Sequence, residues 1–404
     1  MMGPFLIMDK STFQGLSFEC ITFITRFYQH RLSPILLREI TSNLAKGNSE
    51  GSDVEFRKKV AELAKKAQFS QAAVLIGANR MARMELLSGP PIPMNGYQAP
   101  REGAIEINTP ETGRGFFFDE HPMVGVLRNW ADGNFSETDL LTAQSIRNED
   151  SSVSLMSLYQ NTEKGPIAPT FKSLEEAVAW FDEIRLLATP RNRILRVARH
   201  LFENHPGYVG IVMRRWRRAG RPALENFAPY AEYYVRVVMI YHYGFLCDFI
   251  KRGKKSKAHL DMQYIYYLPF CNVFSSDDKD LIKLVEFFLR PDQEFVSKAD
   301  LQKDLKRLSA YFADMPEEQR AAFYAEYNHY PPDLEGSFTA KMWKRFMRPR
   351  QKQEGKQSRP SPEKEAEIMK EFRAIQQAFE KQQSQNLSQQ QGKNGQGTNS
   401  TIYL

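Results

Sequence analysis

An α/β fold with a high helical content is what this 404-residue chain predicts, and three observations carry the prediction. A short apolar run, Phe5-Leu6-Ile7-Met8, has the residue types of a buried strand. It reaches Asp9-Lys10-Ser11 and then a helical pattern, so an acid stands where a strand gives way to a helix. A second run, Cys271 to Ser275, again has strand character and ends in Ser275-Ser276-Asp277-Asp278-Lys279 before another helix start. Most of the chain between these two points carries helical periodicity.

Taken in order, Thr12 to Tyr28 places Phe13, Leu16, Ile21, Ile24 and Phe27 at roughly helical spacing. Ser33-Pro34 interrupts that helix, because proline disfavours helical geometry in the residue before it. Ile35 to Leu44 opens a second helix, with Glu39 among apolar neighbours, and residues 46–52 are a loop by composition. From Val54 to about Leu87 the pattern is helical with one break near Gly77, and residues 88–150 read as long irregular connections rich in glycine and proline.

Ser173 with Glu176 three residues on is a capping box that starts a helix, and helical patterns follow at Arg193–Glu203 and Tyr230–Ile250. Beyond the second strand, helices are expected from Asp280, over Lys298–Phe312 and over Glu317–Tyr327. After Arg348 the composition shifts to Lys, Gln and Pro. Ser361-Pro362-Glu363 starts a tail helix to about residue 382 with an Ile368, Phe372, Ile375, Phe379 stripe, and a Gln/Asn/Ser/Gly tract that cannot order itself follows.

Composition excludes several classes. The 42% hydrophobic content suffices for a substantial core, yet no apolar run approaches the ~20 residues needed to span a bilayer. The N-terminal apolar stretch is too short for a signal peptide. Three dispersed cysteines, Cys20, Cys247 and Cys271, form no CxxC pair, which argues against a thiolate zinc site or disulfide framework and suits a cytoplasmic protein. The P-loop spacing is missing around Gly113-Arg114-Gly115, so no nucleotide cofactor is expected.

The acids Asp9, Glu39, Asp261 and the pair Asp277/Asp278 recur in similar settings, with Ser11 and Ser276 beside two of them. In this order they resemble the PIN-like nuclease family, in which a first strand ends in Asp, a helical Glu follows, then an Asp, then a hydroxyl-x-Asp motif after the next strand. The resemblance covers about residues 5–46 and 258–290.

It implies a three-layer fold with a central parallel sheet, a discontinuous catalytic core over 1–50 and 255–295, a mainly helical insertion over 51–254 and a helical extension over 296–348, ahead of the 349–404 tail. It also implies hydrolysis of a phosphodiester with Mg²⁺ or Mn²⁺, held by Asp9, Glu39, Asp261 and Asp278. Asp277 competes for the last role, Ser11 and Ser276 orient carboxylates or contact phosphate, and Glu19 is an alternative to Glu39. RNA is the expected substrate, in a toxin or host-defence setting by family analogy alone. The chemistry is coherent: hard cations take oxygen ligands, and clustered carboxylates raise one another's pKa unless a cation is present.

Two basic clusters suit a nucleic-acid partner, since Arg and Lys neutralise phosphates and an aromatic ring can stack on a base. They are Arg214, Arg215, Trp216, Arg217 and Arg218, and the run around Lys254 and Lys255. His259 stands two residues before Asp261, and the other histidines show no ligand spacing. The tail-helix stripe offers a face for a protein partner or for a larger assembly. A different class of protein remains open beside the enzyme, a non-catalytic nucleic-acid-binding scaffold that keeps the fold.

Overall fold

The computed structural model of the protein describes residues 3–46, 53–70, 72–96, 104–109, 113–118, 122–152, 171–203, 205–246, 261–327 and 330–349. Its centre is an all-parallel five-stranded sheet built from β1 (Phe5–Met8), β2 (Gln29–Leu32), β3 (Ala73–Val74), β6 (Val273–Ser276) and β7 (Glu294–Ser297), in the order β3-β2-β1-β6-β7. A separate antiparallel pair, β4 (Ala104–Thr109) and β5 (Gly113–Phe118), forms a hairpin.

Sixteen helices surround these strands among the described residues. They are α1 (Lys10–Gly15), α2 (Phe18–Phe27), α3 (Pro34–Ser42), α4 (Asp53–Phe69), α5 (Ala78–Leu87), α6 (Pro122–Ala131), α7 (Glu137–Ser152) and α8 (Leu174–Leu187). Then come α9 (Pro190–Leu201), α10 (Pro206–Arg218), α11 (Leu224–Phe227), α12 (Pro229–Leu246), α13 (Lys279–Val285), α14 (Lys298–Ala313), α15 (Glu317–Tyr327) and α16 (Phe338–Phe346).

β1 is the middle strand. Leu6 sits opposite His30 on β2 and opposite Val273 on β6. A strand covered on both edges and both faces needs a continuous apolar run, and Leu6, Ile7 and Met8 are fully buried. The chain builds outward to β2 and β3 on one side of β1, then returns to β6 and β7 on the other. The order therefore reverses between β1 and β6, and that reversal is where open α/β sheets bind ligands, at the carboxyl ends of the strands.

Several expectations change. The helix expected over Thr12–Tyr28 is two helices, because Ser17 caps α2 with its hydroxyl on the Cys20 amide. Gln29–Leu32 is a strand although its first three residues are polar. His30 Nδ1 lies 3.1 Å from the Ser70 hydroxyl, and the Arg31 guanidinium stands 3.4 Å from the Phe5 ring centre and donates to the Phe270 carbonyl. Buried partners replace apolar side chains here. Ala73–Val74 joins the sheet from within the stretch read as helical insertion, and Glu294–Ser297 adds a fifth strand at the edge, where the half-buried face tolerates Glu294.

Residues 88–150, read as irregular, contain the β4–β5 hairpin, α6 and α7. At the start of α8 the Ser173 hydroxyl accepts the Glu176 amide as the sequence predicts, while the Glu176 carboxylate reaches one residue further back, to the Lys172 amide. Residues 1–324 and 328–349 make one compact unit, so the helices between β3 and β6 share a unit with the sheet. The other unit, 325–327 and 350–404, lies outside the described residues apart from the last turn of α15, and with it the expected tail helix. Among the described residues no helix is long and apolar enough to cross a membrane.

Candidate active site

Asp9 leaves β1 and caps α1. Its carboxylate accepts the Thr12 amide at 2.8 Å, and its backbone N–H extends the ladder to the Ser275 carbonyl at 3.1 Å. The side chain is 3% exposed, and a buried carboxylate needs donors on every lone pair. Ser11 supplies one from the same turn, at 2.8 Å from Oδ2. The Ser276 hydroxyl, at the end of β6, supplies another to Oδ2 at 2.7 Å, from 267 residues away in sequence. Each serine oxygen also accepts a backbone amide: Ser276 from Asp278 at 3.0 Å, Ser11 from Asp277 at 3.3 Å. The two strand-end turns are thereby locked together.

Glu39 reaches this edge from α3. Its carboxylate accepts the Tyr264 hydroxyl at 2.5 Å and lies 3.7 Å from the Lys10 ammonium, which also donates to the Asn43 side chain at 3.2 Å. Burial pushes the Glu39 carboxyl up, with Lys10 and the Tyr264 bond pulling the other way and Asp9 adding to the rise. Asp261 stands just ahead of a short 3₁₀ segment, Tyr264–Phe270, that runs into β6. Burial, and then the charges of Glu39, Asp278 and Asp9, raise its carboxyl to about 7, against a smaller offset from Lys10. Four acids from distant parts of the chain therefore share one electrostatic neighbourhood.

Asp277 and Asp278 differ in what they hold. Asp278 is the N-cap of α13, accepting the Asp280 and Leu281 amides at 2.9 and 2.8 Å. Asp277 is exposed and pairs with Lys298 at the head of α14. Glu19 points elsewhere: it accepts the Ser309 hydroxyl of α14, so Glu39 is the glutamate at this edge.

Among the described residues no three His, Cys, Asp or Glu side chains are arranged as a metal-holding group. The donor chemistry nevertheless fits a hard cation. All four acids offer oxygen, and Mg²⁺ keeps several waters and takes few direct carboxylates. Asp9, Glu39, Asp261 and Asp278 are the residues that would hold it, and both Asp9 and Asp278 cap a helix at the same time.

Comparison with protein-family models, with curated proteins and with solved structures gives no match. The site rests on its own geometry.

The basic cluster is divided by its helix. On α10, Arg214, Arg217 and Arg218 are exposed, but Trp216 is 5% exposed and its indole N–H donates to the Pro222 carbonyl at 2.8 Å. No ring face is left for a base. Arg215 is also structural: it donates to the carbonyls of Glu85, Leu86 and Gly89 at 2.6–3.0 Å and covers the Phe227 ring. The sequence places both among the nucleic-acid contacts; helical phase instead turns Trp216 inward with positions 212 and 213, and Arg215 is held by the end of α5. Lys254, Lys255 and His259 lie outside the described residues.

The roles of Lys10 and Tyr264 emerge only from the structure. Lys10 had a signal, its place directly after the strand-end acid. Tyr264 lies three residues after Asp261 in an aromatic run that reads equally well as core.

Proposed function

We propose that the chain is a divalent-metal-dependent phosphodiester hydrolase of PIN-like architecture acting on RNA in the cytoplasm. The observation that carries the reading is the Ser276–Asp9 bond at the point where the strand order reverses, with Glu39 and Asp261 in the same field. That is the pairing the PIN-like resemblance requires of its first and last motifs.

In this reading Ser11, Ser276 and the Thr12 amide fix the Asp9 carboxylate, while Lys10 and Tyr264 fix Glu39. Asp261 holds a proton near neutrality until positive charge arrives. A bound Mg²⁺ or Mn²⁺ supplies the charge that offsets both the carboxylates and the incoming phosphate. A second reading, a non-catalytic RNA-binding scaffold, draws on the engagement of Asp278 as a helix cap and of Asp277 with Lys298.

Cleavage of a labelled RNA with Mg²⁺ or Mn²⁺, wild type beside Asp9→Asn, separates them. Metal-dependent cleavage that Asp9→Asn abolishes supports the enzyme. Metal-independent binding with no cleavage in either protein leaves the scaffold.

A further inference from the structure

Between Arg191 and Arg221 the chain carries nine arginines and a single acid, Glu203, an excess larger than the net +7 of the whole protein. This stretch is α9, a short turn and α10, and both helices pack on α5. Two of the nine are used internally. Arg193 pairs with Glu232 and Glu225, and Arg215 holds the carbonyls that end α5. The side chains of the other seven are exposed and make no hydrogen bond or ion pair among the described residues: Arg191, Arg196 and Arg199 on α9, then Arg214, Arg217 and Arg218 on α10 with Arg221 just beyond.

Helical phase makes this arrangement more than an accident of composition. On α10 the buried positions Val212, Met213 and Trp216 define one face, and Arg214 and Arg218, four residues apart, project from the opposite one. On α9 the buried positions Ile194, Val197, Ala198 and Leu201 leave Arg196 and Arg199 outward, three apart. So many like charges on adjoining helices repel one another and add nothing to folding.

We propose that the outward arginines of the α9–α10 hairpin bind the phosphodiester backbone of a nucleic acid. Guanidinium matches phosphate with paired donors, and all seven free cations here are arginine rather than lysine. Recognition runs through phosphate, not bases, because Trp216 is buried and hydrogen-bonded. An anionic membrane surface is less well matched, since the exposed apolar side chains of this hairpin are confined to Tyr208 and Ile211. The proposal adds a substrate-holding surface to the hydrolase reading but does not depend on metal or cleavage.

The test measures binding of the full chain to a labelled single-stranded RNA, with matched DNA and duplex RNA alongside, in EDTA over a series of salt concentrations. The variant is Arg196→Gln/Arg199→Gln/Arg214→Gln/Arg218→Gln. Wild type should bind with steep salt dependence. The variant should reduce the slope of log affinity against log salt by about 3 and weaken binding at ~0.1 M salt by ~30-fold or more. Its four-lysine counterpart should recover most of the slope, which separates charge from misfolding.

Three results overturn the proposal: a slope unchanged in the glutamine variant, no binding by a wild-type protein with an intact thermal transition, or binding confined to phosphatidylserine vesicles. Absence of metal-dependent cleavage by a wild-type protein that binds RNA would instead count against the metal-site reading alone.

Discussion

The carboxylates at the β1–β6 edge and the arginines of α9–α10 are both gatherings of like charge, and the fold treats them in opposite ways. Asp9, Glu39, Asp261 and Asp278 are buried or half-buried, and each of Asp9, Glu39 and Asp278 is held by named donors. Seven of the nine arginine side chains are left in solvent with no partner among the described residues. Burial turns mutual repulsion into raised proton affinity, as at Asp261, whereas exposure lets water and salt screen it. The first arrangement readies a site for a compact cation, the second a surface for an extended anion.

The strongest way to break this contrast is to remove the charge that both strand-end turns share. Asp9→Asn should lower metal-dependent cleavage by at least ~100-fold while leaving RNA affinity in EDTA unchanged, as read by single-turnover cleavage and anisotropy. If affinity falls with it, the two regions are not separate functions.

Inside the arginine hairpin, the inward residues should behave as core. Trp216→Ala should destabilise by about 3–5 kcal/mol in chemical denaturation. Arg215→Gln should cost about 1–3 kcal/mol by leaving carbonyls unpaired, while Arg214→Gln should stay within ~0.5 kcal/mol. Equal effects at 214 and 215 would contradict the helical phase.

The pH profile of stability sharpens the contrast from the acidic side. Asp261, ordinarily near 3.8, and the fully buried Glu85, ordinarily near 4.5, are both raised to about 7, each chiefly by burial. Folded, they hold protons that the unfolded chain has released, so their contributions fall as pH rises from about 4 to 7. For Asp261 the change should be on the order of 2 kcal/mol after solvent screening.

His30 works the other way. Burial presses it down to about 3, so its contribution is lost as pH falls below its unfolded value of 6.5, and the variants must be read by difference. Asp261→Asn should flatten a part of the profile that Mg²⁺ also flattens, and Glu85→Gln a part that Mg²⁺ leaves alone. Denaturant midpoints across pH 4–8, with and without Mg²⁺, check this.

The smallest effect distinguishes capping from ligation. Asp278→Ala should cost about 1 kcal/mol of stability, whereas Asp278→Asn, which caps equally well, should cost only a few tenths. A large loss of cleavage in Asp278→Asn would give its charge a role beyond the cap.

The legible parts of the fold were those where local pattern and final environment agree. Phe5–Met8 and the run into Ser276 read as strands because both are apolar and bounded by polar turns, and Ser173 with Glu176 announced its helix because the capping bonds are local. Gln29–Leu32 did not read as a strand, because its polarity is answered by Ser70 and Phe270, partners 40 and 239 residues away. Ala73–Val74 is too short for any periodicity to register.

The amino-acid sequence alone determined which acids follow strands and where arginine concentrates, since both are matters of residue type and order. Only tertiary structure decided that Ser276 meets Asp9, that Tyr264 and Lys10 hold Glu39, and that Trp216 turns inward while Arg214 and Arg218 face out. Chain order does not specify which strand lies beside which, and a repeat of 3.6 residues does not say which face of a helix will find a neighbour.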